Sequence, residues 1–206
     1  MRIANQEETM RKVLIATALV LLPWHACAQI GNSAGWSPNT QTEKAGVPSP
    51  NQSNYQDQLF AQTAAVGGLA EVDLGKLVAS KAVDPGVKRF AERMVDDHEK
   101  ANVKLKSIAQ KSNIPLPTNV DAEHGKTRAD LNKLNGHQFD RAYLAYQTVE
   151  HQKTAQLLAW EIGQGEDADL QRFASETLPT VLEHLRMARD LAAQIPVDVS
   201  QSNQKR

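Results

Sequence analysis

Apolar residues recur at three-four spacing through most of this chain, the pattern of helices that bury one face. Phe60, Ala64, Gly67, Ala70, Leu74 and Leu77 form the first stripe, with Glu71 and Val78 beside it. Asp84-Pro85 then supplies an N-cap and a first-turn proline for a second helix. Its stripe runs through Val87, Phe90, Met94, His98, Ala101, Leu105 and Ile108 and ends near Asn113. A longer connection follows, from Ile114 to about Gly136, with a short helix-like run over 121–134. The third long helix is expected over 137–162, with Phe139, Tyr143, Tyr146, Leu157 and Leu158 apolar, and Gly163-Gln164-Gly165 stops it. The fourth carries Leu170, Phe173, Thr177, Val181, His184, Ala188 and Leu191, and Pro179 inside it is expected to kink or split the helix. No segment alternates with the period of a strand. The pattern predicts an all-α protein: a ferritin-like four-helix bundle with one long crossover between helices two and three. Gly67-Gly68 lies inside the first helix with no strand before it, so it reads as a place of close helix approach and not as a phosphate loop.

The chain ends fall outside this pattern. Residues 13–22 read VLIATALVLL, with Arg11 and Lys12 before them and Ala26-Cys27-Ala28 after. This run is too short to cross a bilayer, which takes about 20 apolar residues. It reads as a cleaved secretory signal over 1–28. Glu7 and Glu8 suit the basic region of a signal poorly, which makes Met10 an alternative start. Trp24, three before Cys27, disfavours a lipoprotein. Cleavage after Ala28 leaves no cysteine, so the expected product is exported to the periplasm without disulfides or thiolate metal sites. Residues 29–53, rich in Pro, Gly, Ser and Asn, are expected to be a flexible leader. The bundle domain is expected over 54–195 and a flexible tail over 196–206.

Composition narrows the function. A formal net charge of −1 gives no basic surface for nucleic acid. With the signal removed, no transmembrane span is expected; a second copy of the chain or an envelope protein remains open as a partner.

The chemistry lies in the helix stripes. His98 and His184 occupy positions where apolar residues are expected, Glu71 lies beside the first stripe, and His151 flanks the third. Each long helix thus turns one ionisable side chain inward. At about 1.5 Å per residue, Glu71 and His98 lie roughly 17 and 21 Å from the turn that joins their helices. His151 and His184 lie roughly 20 and 27 Å from theirs, which puts His184 about a turn out of the shared layer. Buried without partners, such groups would cost several kcal/mol, which hydrogen bonds or a metal would offset. Neutral imidazole suits copper, zinc or iron. Met94, four before His98, and Met187, three after His184, would add soft donors for copper, or simply fill core volume. Imidazole nitrogens from three helices within about 4–5 Å would favour a metal, given Zn–N bonds of about 2.0–2.1 Å. Histidines separated by apolar layers would exclude one.

The di-iron signature Glu-x-x-His is missing: Val95, Thr148 and Val181 precede the three core histidines at that spacing. Ferroxidase or oxygenase activity is therefore disfavoured, and no nucleophile–base pair is readable. Asp97-His98, Glu150-His151 and Glu183-His184 each place an acid directly before a histidine. Such neighbours point about 100° apart, so the acid is suited to orienting a ligand on another helix.

Four blocks, AAVGGLAEVDLGKL (64–77), RMVDDHEKAN (93–102), FDRAYLAYQTVEHQKTAQLL (139–158) and RFASETLPTVLEHLRMARDL (172–191), resemble a bacterial family known as domain of unknown function 4142. The resemblance implies an exported, ferritin-like helical protein and marks Glu71, His98, His151 and His184 as matching the family's motif positions. It brings no established activity. Members are often labelled outer-membrane proteins, but the alternating strands of a barrel are missing here. Two functions stand side by side: a periplasmic metal-binding bundle using Glu71, His98, His151 and His184, and a non-catalytic envelope or stress-related interaction protein whose histidines are structural.

Overall fold

A computed structural model describes residues 47–196. The expected signal, most of the expected leader and nearly all of the expected tail lie outside the described residues. Among those described, five helices and no strands occur: α1 (Tyr55–Lys81), α2 (Pro85–Lys111), α3 (Ala122–Asn132), α4 (Gly136–Gln164) and α5 (Ala168–Ala192). Helix α1 packs along α2 and α4 along α5, while α2 also meets α5 and α1 meets α4. The short α3 belongs to the connection between α2 and α4 and leans on α1 and α4.

Local chemistry sets the helix starts. Asn54 accepts the backbone N–H groups of Gln56 and Asp57, and Asp57 returns a bond to the Asn54 N–H, which closes a capping box. Asp84 caps α2 with Pro85 in its first turn, and Asp167 caps α5 through the N–H groups of Asp169 and Leu170. Close approach of α1 to α2 depends on glycine. A Cβ at Gly75 would stand 2.8 Å from the Val95 side chain, and one at Gly68 would run into the Asn102 carboxamide.

Two expectations change here. Helix α5 runs unbroken through Pro179, so the proline does not split it. The hydrogen bond that Pro179 removes lies on an exposed face, while Phe173, Ala174, Val181 and Leu185 anchor the helix on either side of it. The end of the leader is also tied down. Ser49 donates its N–H to the Glu166 carbonyl and accepts from the Ala168 N–H, a single bridge beside Asp167.

The core divides in two. One cluster, with Leu74, Val78, Phe90, Met94, Phe139 and Tyr143, fills the end where α1 turns into α2. The other, with Phe60, Ala65, Leu105, Leu158, Phe173 and Val181, fills the end where α4 turns into α5. At the first end the buried Asp140 accepts the N–H groups of Val83 (3.2 Å) and Asp84 (2.9 Å) and so clamps the α1–α2 turn to α4. Asp140→Ala would strand two backbone donors, and the expected loss is about 2–3 kcal/mol in urea unfolding.

Candidate metal centre

Along all four long helices a polar residue falls where one apolar cluster gives way to the other. In α1, Glu71 lies between Ala65 and Leu74, and in α2, His98 lies between Met94 and Leu105. In α4, Gln147 and His151 lie between Leu144 and Leu158, and in α5, His184 lies between Val181 and Ala188. The molecule therefore carries a polar layer between two apolar ones. Within it Gln147, His151 and His184 are at most 2% exposed and Glu71 is 7% exposed.

The layer brings the three imidazoles together. One donor nitrogen from each of His98, His151 and His184 lies within 4.8 Å of the other two. Ring centroids stand 5.8 Å apart for His98–His151, 5.7 Å for His98–His184 and 5.3 Å for His151–His184. His184 thus shares the layer and is not a turn out of it, as rise per residue had suggested. Side chains on a helix lean toward its N-terminus. His151 on α4 leans away from the α4–α5 turn and His184 on α5 leans toward it, which closes the difference.

Hydrogen bonding fixes the roles of the ring nitrogens. His151 Nδ1 donates to the Gln147 carbonyl at 3.1 Å, and His184 Nε2 donates to Asp97 Oδ2 at 2.9 Å. Both partners are pure acceptors, so in each ring the remaining nitrogen carries a lone pair. Those nitrogens, His151 Nε2 and His184 Nδ1, are buried without a partner, as is His98 Nε2. Asp97 serves the histidine of a neighbouring helix, although it directly precedes His98 in sequence. Burial holds His98 down to about 3, reinforced by the facing His151 and His184. Burial likewise takes His151 down to about 3, and it lowers His184 against the opposing pull of Asp97. All three rings are neutral at pH 7, the form that ligates metals. Burial would raise Asp97, but the bonds from His184 and Arg93 bring it below the ordinary range.

The other expected site residues lie elsewhere. Glu71 is not part of the converging set; its Oε2 accepts from Gln147 Nε2 at 2.6 Å. Burial pushes it up to about 7, with repulsion from Glu150 adding to the rise and the Gln147 bond opposing it. Met94 is fully buried in the apolar cluster with Phe90 and Tyr143, and Met187 Sδ accepts from Arg93 at 3.1 Å. His124 pairs with Asp121 outside the layer. Gln147 escaped the sequence reading, although its place four before His151 puts it on the same helix face. Its carbonyl orients His151 and its amide holds Glu71.

A second polar group went unread at the α4–α5 end. Asp57, Glu161 and Asp167 are all fully buried there. Asp57 accepts the Glu166 N–H, and Asp167 accepts the Ser112 hydroxyl at 2.5 Å. No N–H or O–H group donates to either Glu161 oxygen, and when protonated its carboxyl donates to Asp57. Burial and the neighbouring Asp57 and Asp167 push it up to about 9.

Comparison with solved structures defines the class. A DUF305 fragment from Deinococcus radiodurans superposes with a TM-score of 0.62 at 15% identity, over 71% of this chain and 99% of that one. The "putative secreted protein DUF305" of Streptomyces coelicolor gives 0.59 at 18% identity, over 68% of this chain and 91% of that one. A protein described as a "putative spore coat protein" from Bacillus halodurans gives 0.56 at 12%, over 71% and 90%. These likenesses establish an all-helical fold of that type and nothing about activity. The family model described as "Domain of unknown function (DUF4142)" matches residues 42–191, and the chain belongs to that family. No curated protein matches it in sequence. Among the described residues, no helix is long and apolar enough to cross a membrane.

Proposed function

We propose that this protein is an exported, ferritin-like four-helix bundle, with α3 in its crossover, that binds one transition-metal ion between α2, α4 and α5. His98, His151 and His184 are the ligands. The observation that carries the reading is the convergence of three rings from three helices, one donor nitrogen of each within 4.8 Å of the other two, in a set where each ring also has a buried nitrogen without a partner. Three such groups in an apolar surround are expensive without a partner, and an ion would satisfy all of them together. A donor set of neutral imidazole nitrogens suits zinc, copper or iron. Export is supported by the signal-like pattern of 1–28 and by the secreted description of the Streptomyces structure.

Asp97 and the Gln147 carbonyl stand where outer-shell partners of metal-bound histidines stand: each accepts from the ring nitrogen that would not face the ion. Asp97→Ala is expected to weaken metal binding about 10- to 100-fold, read by competition with a chromophoric chelator. Glu71 is joined to His151 only through Gln147, by two hydrogen bonds, so Glu71→Gln is expected to leave metal content unchanged.

The test is elemental analysis after dialysis against zinc, copper and iron separately, with a His98→Ala/His151→Ala variant alongside. Near-stoichiometric metal in the native protein that disappears in the variant is the expected result. No retained metal in either protein, with native helicity intact, would mean that the histidines are structural.

A further inference from the structure

The metal reading supplies three ligands, and tetrahedral ions take four. Structural zinc sites close the set with protein groups, whereas sites that act on small molecules leave the fourth position open. Among the described residues no carboxylate joins the three imidazoles, and Glu71, the nearest candidate from the sequence, is engaged with Gln147. The layer is also not sealed. His98 is only partly buried, and it is the member of the centre that, with Glu71, lines a cleft of about 510 Å³; His151 and His184 do not line it. Leu105, Leu157, Leu158, Phe173 and Val181 give the wall a mostly apolar surface, and Asp121, Glu150 and Lys153 add charged groups to its lining. Pockets for small organic ligands run to about 300–1,000 Å³ and combine apolar walls with a few placed polar groups.

We infer that the His98–His151–His184 centre keeps one coordination position for an outside ligand that enters through this cleft: a small organic molecule with one nitrogen or oxygen donor and an apolar body. The donor atom takes the open position on the ion. The body rests against Leu157, Leu158 and Phe173, and Glu71 offers a carboxyl group to whatever polar substituent it carries. This inference rests on the metal reading above and goes beyond it by assigning the ligand class.

The test uses protein loaded with cobalt(II), whose visible bands report coordination number and donor exchange. Imidazole and 4-phenylimidazole are titrated against it. Both are expected to shift the bands, and the phenyl compound is expected to bind at least about tenfold tighter, because its ring is removed from water in the cleft. Thr177→Phe, which places a ring in the cleft from α5, should keep cobalt uptake and lose that tenfold advantage. Bands that neither probe moves, in protein that holds cobalt, would overturn the inference and leave the metal reading standing. Equal affinity for the two probes would overturn the role of the cleft. Failure to take up cobalt at all would defeat the metal reading itself, and this inference with it. Because the probe comparison is made on the unaltered protein, it decides the matter even if Thr177→Phe does not fold.

Discussion

Metal-free protein is expected to lose stability steeply as the pH falls below about 4.5 toward 3, and only gradually from 6.5 to 4.5, where Glu71 and Glu161 act in the opposite sense. His98 and His151 titrate near 3 in the folded state, and His184 is lowered as well, against about 6.5 in the unfolded chain. Within that window the unfolded chain binds protons at these rings that the folded one refuses, so their contribution to stability rises with pH across it and declines on acidification. The decline should amount to several kcal/mol, since each unit of separation is worth about 1.4 kcal/mol per group. Urea unfolding at successive pH values measures it. The His98→Ala/His151→Ala variant should lose most of the slope while keeping its helices. A bound ion adds a second signature. Free metal at about a thousand times its dissociation constant stabilises the folded state by about 4 kcal/mol. That increment should vanish in the same variant. A slope between pH 6.5 and 3 that the double variant leaves unchanged would mean that water reaches these rings freely.

At the alkaline side the sign reverses, and Glu161→Gln is the variant that exposes it. Glu161 titrates near 9 in the folded protein against an ordinary 4.5, because it is buried beside Asp57 and Asp167. Between those values the folded state holds a proton that the unfolded chain has released, so stability falls as the pH rises from about 4.5 to about 9. Glu71, pushed up to about 7, acts in the same sense over a shorter range. From pH 7 to 9 Glu161 is left as the main contributor, and the expected loss is on the order of 2 kcal/mol. A glutamine carries no charge to release, and its NH2 group can donate to Asp57, whose other contacts come from the N–H groups of Asn54 and Glu166. Glu161→Gln should therefore flatten the profile above pH 7, deepen the loss on acidification between about 6.5 and 4.5, and leave the limb below 4.5 unchanged. An unaltered alkaline limb would place the responsible group elsewhere. Because this cluster sits at the α4–α5 end, the variant should not affect metal retention.

Much of this was legible in the sequence because it is local. The third long helix, expected over 137–162, runs Gly136–Gln164, and Asp84-Pro85 marks the start of α2 as read. Polar side chains at stripe positions pointed to a layer of ionisable groups in the interior. What escaped depends on long-range packing. The height of His184 needed the lean of side chains on two antiparallel helices, which counting residues ignores. Pro179 looked like a breaker because its own hydrogen bond is lost, whereas the contacts on either side of it decide the outcome. Asp57 and Asp167 stand at helix starts, where an acid carries no mark of burial in the sequence. Only the fold brings Asp57 to the Glu166 N–H, Ser112 to Asp167, and Glu161 between the two carboxylates. Gln147 shows the opposite failing: its spacing from His151 was visible, but an amide gives no chemical signal of its own.

X-ray absorption at the zinc edge, on protein loaded with one equivalent of zinc, tests the central claim most directly. Three imidazole nitrogens at about 2.0–2.1 Å, with one further light donor, is the predicted first shell. The imidazole count should fall when His151 is replaced by alanine. A shell of oxygen donors without the outer scattering of imidazole, unchanged by His151→Ala, would place the ion on surface carboxylates and contradict the account.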